Sequence, residues 1–281
     1  MTTYQRILIG TDLSDQAQHA AAFAMLVGRG EARLRVVFVA PSVDTPEHTI
    51  AENANAQALS EWCGRAGLAK REEVVLYGNP AQEIAREAAG MEADLLVIGH
   101  RGRSPIERLL LGSTARSLLR LAVADTLVVR GHAPEPGQTA FRNIMIATDF
   151  YEPSERAAHR ALALAKEHGA SITLVHAIDP DMWRLAVRAT PRNEFPDDEA
   201  LLRGTYSDML AQFNKEHLEG LAKEHLTHGS PTKAIADHAR LHHADLIVVG
   251  THGTHGIERM LLGAHAEAII EHAPCSVLVV R

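Results

Sequence analysis

The sequence feature that most constrains this chain is a glycine pattern that occurs twice. Each copy follows an apolar run, at 94–98 and 245–249, of the kind that forms a strand buried on both faces. The copies consist of Gly99 and Gly102, nine residues, then Gly112-Ser113; and Gly250 and Gly253, nine residues, then Gly263-Ala264. A glycine-rich bend between a strand and a helix lets the backbone wrap a phosphate group. The sequence therefore predicts a duplicated nucleotide-binding module.

The repeat also predicts how a chain of 281 residues is divided. The pairs Thr11-Asp12 and Thr148-Asp149 are 137 residues apart (149 − 12), whereas the glycine patterns are 151 residues apart (250 − 99). The second copy therefore carries an insertion of 14 residues (151 − 137). We predict domains at 1–132 and 140–281, joined by a Pro/Gly-rich linker, with the insertion at about 179–197.

Apolar strand segments alternate with helical segments in both halves. This order predicts an α/β fold with two tandem Rossmann-like domains, each a five-stranded parallel sheet with helices on both faces. In such sheets, ligands bind outside the carboxyl ends of the strands. The residues expected at these edges are Asp12, Ala40, Gly99 and Ser113 in the first half, and Asp149, Ala177, Gly250 and Ala264 in the second.

The glycine loop of the first half has the composition of an anion site. Gly99 is expected to take a positive φ as the chain leaves the fourth strand, and Gly102 lets a ligand approach the backbone closely. Gly112-Ser113 opens the next helix, whose free N–H groups favour an anion. Arg101 and Arg103 add two cations to the loop. The alternative interpretation is a plain tight turn, and the duplication favours the ligand site.

Asp12 ends the first strand, where a carboxylate can accept hydrogen bonds from a ribose hydroxyl or help to hold Mg²⁺. Asp12 could instead cap the following helix, but Ser14 or Asp15 can already serve as the cap. We therefore favour contact with a ligand.

Together, the glycine spacing and the Thr-Asp pair after the first strand resemble the universal stress protein (UspA-like) family in its tandem-domain form. The resemblance covers both halves and implies an adenine nucleotide alpha hydrolase-like fold that binds ATP, or alternatively ADP or AMP, together with Mg²⁺. It also implies that the fifth strands of the two halves pair antiparallel within the chain, and it leaves a homodimer open. The nucleotide-binding residues that it implies are Gly10, Thr11, Asp12, Ala40, Ile98, Gly99, Gly102, Gly112, Ser113 and Thr114.

The second half departs from this pattern. Ala264 replaces the Ser or Thr of the motif, and the loop 251–256 lacks arginine, although Asp149, Gly250, Gly253 and Gly263 remain. Losing one hydrogen bond to a charged oxygen weakens binding by about 10- to 100-fold. We expect the first half to be the stronger nucleotide site.

Thirteen of the 17 histidines follow residue 150. Those expected at the carboxyl edge of the second sheet are His176, His252, His255 and His265. Imidazoles can bind Zn²⁺, but their spacing matches no standard zinc signature, so we assign no metal. His242, His243 and His272 are expected on the solvated surface.

The composition narrows the function classes. A net charge of −7 argues against nucleic-acid and anionic-membrane binding, and two cysteines with no signal peptide or membrane span predict a cytoplasmic protein. No Walker lysine or catalytic triad is present, so the chain is expected to be an ATP-binding stress-response regulator or protectant. The alternatives are a slow ATPase, or a scaffold without nucleotide. Such a scaffold would bind a partner through the insertion with Trp183 and Phe195, or a ligand or metal in the second half.

Overall fold

The computed structural model describes residues 3–41, 48–100, 111–135, 137–179, 199–251 and 263–281. Several of the predictions fall outside these residues. They are the roles of Arg101, Gly102, Arg103 and Gly253, the positions of His252 and His255, and nearly all of the insertion with Trp183 and Phe195.

The first half alternates strands and helices as predicted. Its strands are β1 (Arg6–Thr11), β2 (Arg33–Ala40), β3 (Glu72–Tyr77), β4 (Leu95–Gly99) and β5 (Asp125–Val129), and its helices are α1 (Asp15–Gly28), α2 (His48–Arg65), α3 (Pro80–Gly90) and α4 (Ser113–Leu121). The predicted start of α3 is confirmed, because the Asn79 side chain accepts hydrogen bonds from the backbone N–H groups of Ala81 and Gln82. Ser14 caps α1 in the same way, through the N–H of Ala17.

The second half repeats this order. Its strands are β6 (Asn143–Ala147), β7 (Ser171–Ile178), β8 (Ala222–His228), β9 (Leu246–Gly250) and β10 (Ser276–Val280), and its helices are α5 (Glu152–His168), α6 (Glu199–His217), α7 (Pro231–Leu241) and α8 (Ala264–His272). The helix predicted over 198–221 ends at His217, because Glu219 and Gly220 adopt left-handed conformations with φ of 55° and 72°.

The ten strands of the described ranges form one sheet, in the order β3-β2-β1-β4-β5-β10-β9-β6-β7-β8. Strands within each half are parallel, and the halves meet where β5 and β10 pair antiparallel, with Leu127 opposite Leu278. The expected pairing of the fifth strands within the chain is confirmed. It places the carboxyl edges of the two half-sheets at opposite ends of the joined sheet.

The two faces of the sheet carry separate cores that both continue from one half into the other. Residues of α1, α2, α5 and α6 pack on one face, around Trp62 and Phe141. Residues of α3, α4, α7 and α8 pack on the opposite face, around Leu118 and Ile270. Because each core includes residues of both halves, separating the halves would expose apolar surface on both faces.

Helices α4 and α8 lie against each other with opposite charges at equivalent positions. Arg116 contacts Glu267 (Nε to Oε1, 3.2 Å) and Glu271, and Arg120 contacts Glu267 (Nη2 to Oε2, 2.9 Å). Arg116 is equivalent to Glu267 in the repeat, and Arg120 to Glu271. Two copies of α4 would bring arginine against arginine, so this pattern favours the pairing of unlike halves.

The register of β7 corrects one prediction. Gly78 donates its N–H to the carbonyl oxygen of Ala40, and Gly229 donates to that of Ile178. The equivalent of Ala40 is therefore Ile178 and not Ala177, because the segment from β6 to β7 is one residue longer than the segment from β1 to β2 (28 residues from Asn143 to Ser171, 27 from Arg6 to Arg33).

Candidate functional site

The carboxyl edge of the first half brings together the ends of three adjacent strands. β1 lies between β2 and β4, with Gly10 opposite both Val37 and Ile98. Asp12 comes directly after β1, and α4 begins at Ser113, after the segment that follows β4. This edge is where ligands bind in open parallel sheets.

The two carboxylate oxygens of Asp12 differ in their surroundings. Its Oδ1 accepts hydrogen bonds from the backbone N–H of Ser14 (3.1 Å) and from the Ser14 hydroxyl (2.6 Å). Its Oδ2 is buried and has no hydrogen-bond partner among the described residues. Since buried polar atoms are nearly always paired, this oxygen is suited to accept a hydrogen bond from a ligand.

The two residues before Asp12 have structural roles. The hydroxyl of Thr11 accepts a hydrogen bond from the N–H of Leu13 (2.9 Å), and Thr148 and Phe150 make the same bond in the second half (3.0 Å). Gly10 is buried, and a Cβ there would lie 3.2 Å from both Ile84 and Ile98. Thr11 therefore fixes the turn that presents Asp12, while Gly10 makes room for α3.

The ends of β2 and β4 are positioned by the sheet. Ala40 is buried and paired with Tyr77, and its carbonyl oxygen accepts the Gly78 N–H at 3.4 Å. Ile98 is 4% exposed. The positive φ predicted for Gly99 is wrong, because this residue is the extended end of β4, in register with Val129.

The start of α4 leaves backbone donors without a side-chain cap. Gly112 is the N-cap residue, with φ −58° and ψ 145°, and its N–H donates to the carbonyl oxygen of His100 at 3.1 Å. That bond joins the two ends of the glycine-loop segment. Ser113 and Thr114 occupy the first turn, and both are exposed. Their amides and hydroxyls are donors of the kind that bind phosphate oxygens at a helix start.

The second half holds its equivalent aspartate differently. Asp149 Oδ1 accepts from the buried Ser154 hydroxyl (2.6 Å) and from the N–H of Tyr151 (3.2 Å). Gly250 lies against the start of α5, where a Cβ would be 2.6 Å from the backbone carbonyl carbon and oxygen of Pro153. Gly263 donates its N–H to the carbonyl oxygen of Thr251 at 2.7 Å, as Gly112 does to the carbonyl oxygen of His100.

An aromatic cluster occupies the carboxyl edge of β6 and β7. His176 contacts Phe150 and Tyr206, with ring centroids 4.6 and 4.7 Å away, and Phe150 also contacts Phe213 at 6.0 Å. The sequence analysis missed Phe150, Tyr206 and Phe213. The available signal was the change from Leu13 to Phe150 at equivalent positions after the two Thr-Asp pairs.

His176 makes the stability of this cluster depend on pH. Burial lowers its pKa from the usual 6.5, an effect opposed by its Nδ1–H bond to the Thr148 carbonyl (2.8 Å) and by the charge of Asp149. The unfolded chain therefore takes up a proton at a higher pH than the folded one. This contribution to stability is complete above about pH 6.5 and is lost as the pH falls below it.

We expect His176→Phe to reduce the loss of stability between pH 7 and pH 5. Phenylalanine is the equivalent residue of the first half, Phe38, and it has no proton to gain. Urea unfolding at several pH values measures the effect, and the exposed His228→Gln controls for the loss of one imidazole. Equal pH dependence in His176→Phe and the wild type would contradict the prediction.

Among the described histidines, His176 and His265 lie at the carboxyl edge as predicted, whereas the prediction for His242 is wrong. His176 lies in the aromatic cluster, and His265 is exposed in the first turn of α8. His242, expected on the solvated surface, is half-buried against His225 and His238. Within the described ranges, this group of three histidines could hold a metal ion.

The geometry defines a class of protein: a tandem α/β chain with two Rossmann-like half-sheets, each with an aspartate directly after its first strand. The universal stress protein family model matches residues 3–130 and 140–281, and the chain belongs to this family.

Individual proteins similar to this chain are also universal stress proteins. A universal stress protein from Methanocaldococcus jannaschii is 33% identical over 147 residues, which cover 52% of this chain and 85% of that protein. The crystal structure of a universal stress protein from Archaeoglobus fulgidus covers all of this chain and 97% of its own, with a TM-score of 0.69 and 21% identity. At that identity the likeness shows the fold alone. In the part of the chain that is described, no helix is both long and apolar enough to span a bilayer.

Proposed function

We propose that the first half binds an adenine nucleotide, ATP with Mg²⁺ in the first instance, at the carboxyl edge of β1, β2 and β4. The observation that carries the proposal is the buried Oδ2 of Asp12, which has no partner among the described residues. A ribose hydroxyl supplies the missing donor, and a carboxylate oxygen is equally a ligand that Mg²⁺ accepts.

The start of α4 supports the same site. Ser113 and Thr114 offer exposed hydroxyls and first-turn amides, and phosphates bind readily to such donors. Thr11 and Gly10 hold the turn and the strand in place. In this proposal, Arg101, Gly102 and Arg103 complete the phosphate contacts from the loop between Gly99 and Gly112.

The second half is proposed as the weaker nucleotide site. Ala264 supplies no hydroxyl at the position of Ser113. In this proposal, Gly250, Gly253 and Gly263 offer only backbone groups to the phosphates of a nucleotide. The aromatic ring of Phe150 also follows Asp149 directly, where the first half has the aliphatic Leu13.

Family membership supports a role in the stress response, with the nucleotide as a signal or structural ligand. The chain would act as a regulator or protectant and not as a fast enzyme. Both cysteines are free thiols, as in proteins of a reducing compartment, which supports the cytoplasm as its location.

We expect Asp12→Asn to weaken binding of Mg-ATP by about 10- to 100-fold, the cost of losing a hydrogen bond to a charged oxygen. Asparagine keeps a side-chain oxygen for the two bonds from Ser14, so the turn is retained. Isothermal titration calorimetry measures the change, and the mass of any nucleotide released on denaturation identifies the natural ligand.

Asp149→Asn is the matched control, because it makes the same change at the equivalent position of the second half. It should leave the tighter binding event as it is in the wild type. Unchanged affinity in Asp12→Asn, or an equal loss in the two variants, would refute the assignment of the site to the first half.

A further inference from the structure

Three histidines from two elements of the second half meet on one face of the sheet. His238 lies on α7, and His242, four residues later, is the C-cap residue that follows this helix, so both lie on the same side of it. His225 lies on β8. Their ring centroids are 4.3 to 4.7 Å apart, and one nitrogen of each lies within 4.8 Å of the other two. All three side chains are half-buried.

One nitrogen of this cluster lacks a partner. The Nε2 of His238 is buried and makes no hydrogen bond within the described residues. Leaving such an atom unpaired costs stability, so packing alone does not account for it. A buried nitrogen of an imidazole ring that contacts two other imidazole rings is suited to coordinate a cation.

The first half shows what this part of the fold looks like without the cluster. The residues equivalent to His225, His238 and His242 are Val74, Glu87 and Met91. Glu87 forms an ion pair with Arg35, whose equivalent in the second half is Thr173. The fold therefore does not need histidine at these positions, and the two halves differ at all three of them.

We propose that His225, His238 and His242 form a binding site for a divalent transition-metal ion, with Zn²⁺ as the expected occupant. Neutral imidazole is a preferred ligand of Zn²⁺ and of other late first-row divalent ions, whereas Mg²⁺ and Ca²⁺ prefer oxygen. Nitrogens bound at about 2.0–2.1 Å in tetrahedral geometry are roughly 3.3 Å apart, so small side-chain rotations close the site. Water takes the fourth position.

This site is separate from the proposed nucleotide site. It lies on β8, the outermost strand of the second half, while the nucleotide edge belongs to β1, β2 and β4. A bound ion would connect β8 to α7 and stabilise that end of the sheet. The metal site does not depend on nucleotide binding in the first half, so the failure of one proposal would leave the other unaffected.

The test is Zn²⁺ binding by untagged protein freed of metal with a chelator. We expect one tight Zn²⁺ per chain, measured by competition with a chromophoric chelator, a melting temperature raised by several degrees at saturating Zn²⁺, and a visible d–d spectrum with Co²⁺. His238→Gln should weaken the affinity for Zn²⁺ by at least 10-fold, since even the loss of an outer-shell group costs 10- to 100-fold.

Two further cluster variants are chosen so that they are expected to fold, and a third variant serves as a control. His225→Val and His242→Met install residues that the first half carries at the same places, and each should also weaken Zn²⁺ binding at least 10-fold. His243→Asn removes a neighbouring histidine outside the cluster, at a φ of 50° that Asn tolerates, and should bind Zn²⁺ like the wild type. Wild-type affinity in the three cluster variants, or an equal loss in His243→Asn, overturns the proposal.

Discussion

Asp125→Ala should lower the free energy of unfolding by about 3–5 kcal/mol, the cost of removing one partner of a buried ion pair. Asp125 is 5% exposed, and its Oδ2 accepts bonds from the Tyr4 hydroxyl and from Arg160 Nε, both at 2.8 Å. Its Oδ1 accepts the backbone N–H of Arg281 at 3.0 Å. The variant leaves the Arg160 charge and the Tyr4 hydroxyl without this partner.

This carboxylate also connects the two halves. Tyr4 and Asp125 belong to the first half, whereas Arg160 is on α5 and Arg281 follows β10. The Arg160 guanidinium lies 4.7 Å from the centre of the Tyr4 ring, a cation–π contact. Burial, followed by the charge of Asp125, raises the pKa of Tyr4, so its hydroxyl stays protonated and donates to the carboxylate.

Ser276→Ala is the matched control, because Ser276 is the residue equivalent to Asp125 on β10. Its hydroxyl accepts the Arg130 N–H at 3.2 Å, and losing that neutral bond should cost only about 1 kcal/mol. Urea unfolding of both variants measures the difference. A cost for Asp125→Ala no larger than that for Ser276→Ala would contradict the role of the ion pair.

The same comparison shows how the two halves have diverged at their junction. The equivalents of Tyr4 and Arg160 are Phe141 and Phe23, which stack with ring centroids 5.7 Å apart and an interplanar angle of 22°. The contact between Tyr4 and Arg160 is therefore polar, whereas the equivalent contact between Phe141 and Phe23 is apolar. Two copies of one half would not reproduce either pair of contacts, so the junction favours the pairing of unlike halves.

Local signals in the sequence predicted most of the element order. Asn79 before Pro80 marks a helix start by side-chain chemistry alone, and the apolar runs at 94–98 and 245–249 mark strands that are buried on both faces. The duplication then indicated which residues lie at equivalent positions on the carboxyl edges of the two halves. This argument placed Asp12 at an edge, and the structure adds that one of its oxygens is buried with no hydrogen-bond partner in the described part of the chain.

What the sequence could not provide depends on contacts between distant elements. Asp125 is 121 residues from Tyr4, and only the pairing of β5 with β10 brings Arg281 to it. His238 and His242 have the spacing of two ligands on one helix. The third histidine, His225, joins them only because α7 packs over β8. The sequence alone therefore predicted a surface position for His242.

Gly250→Ala should lower the free energy of unfolding by about 1–3 kcal/mol, the usual cost of forcing an extra methyl group into a packed site, and the geometry favours the upper end. The added Cβ would lie 2.6 Å from the carbonyl carbon and oxygen of Pro153 and 2.8 Å from its Cβ. These are mainly backbone atoms in the first turn of α5, so no flexible side chain can move aside. The clash is relieved only if the start of α5 shifts. This turn also carries Ser154, whose hydroxyl donates to Asp149.

Gly204→Ala provides the control, because Gly204 lies within α6 and a Cβ there meets nothing within 4 Å. Alanine at that position should stabilise the protein by roughly 0.5–1 kcal/mol, as expected for a helix interior. Urea unfolding of the two variants measures their free energies of unfolding and distinguishes a packing role of Gly250 from a role in ligand binding. If Gly250 served only a ligand loop, Gly250→Ala would leave stability intact in nucleotide-free protein. A large loss under those conditions means that the close approach of β9 to α5 requires glycine there, whatever the second half binds.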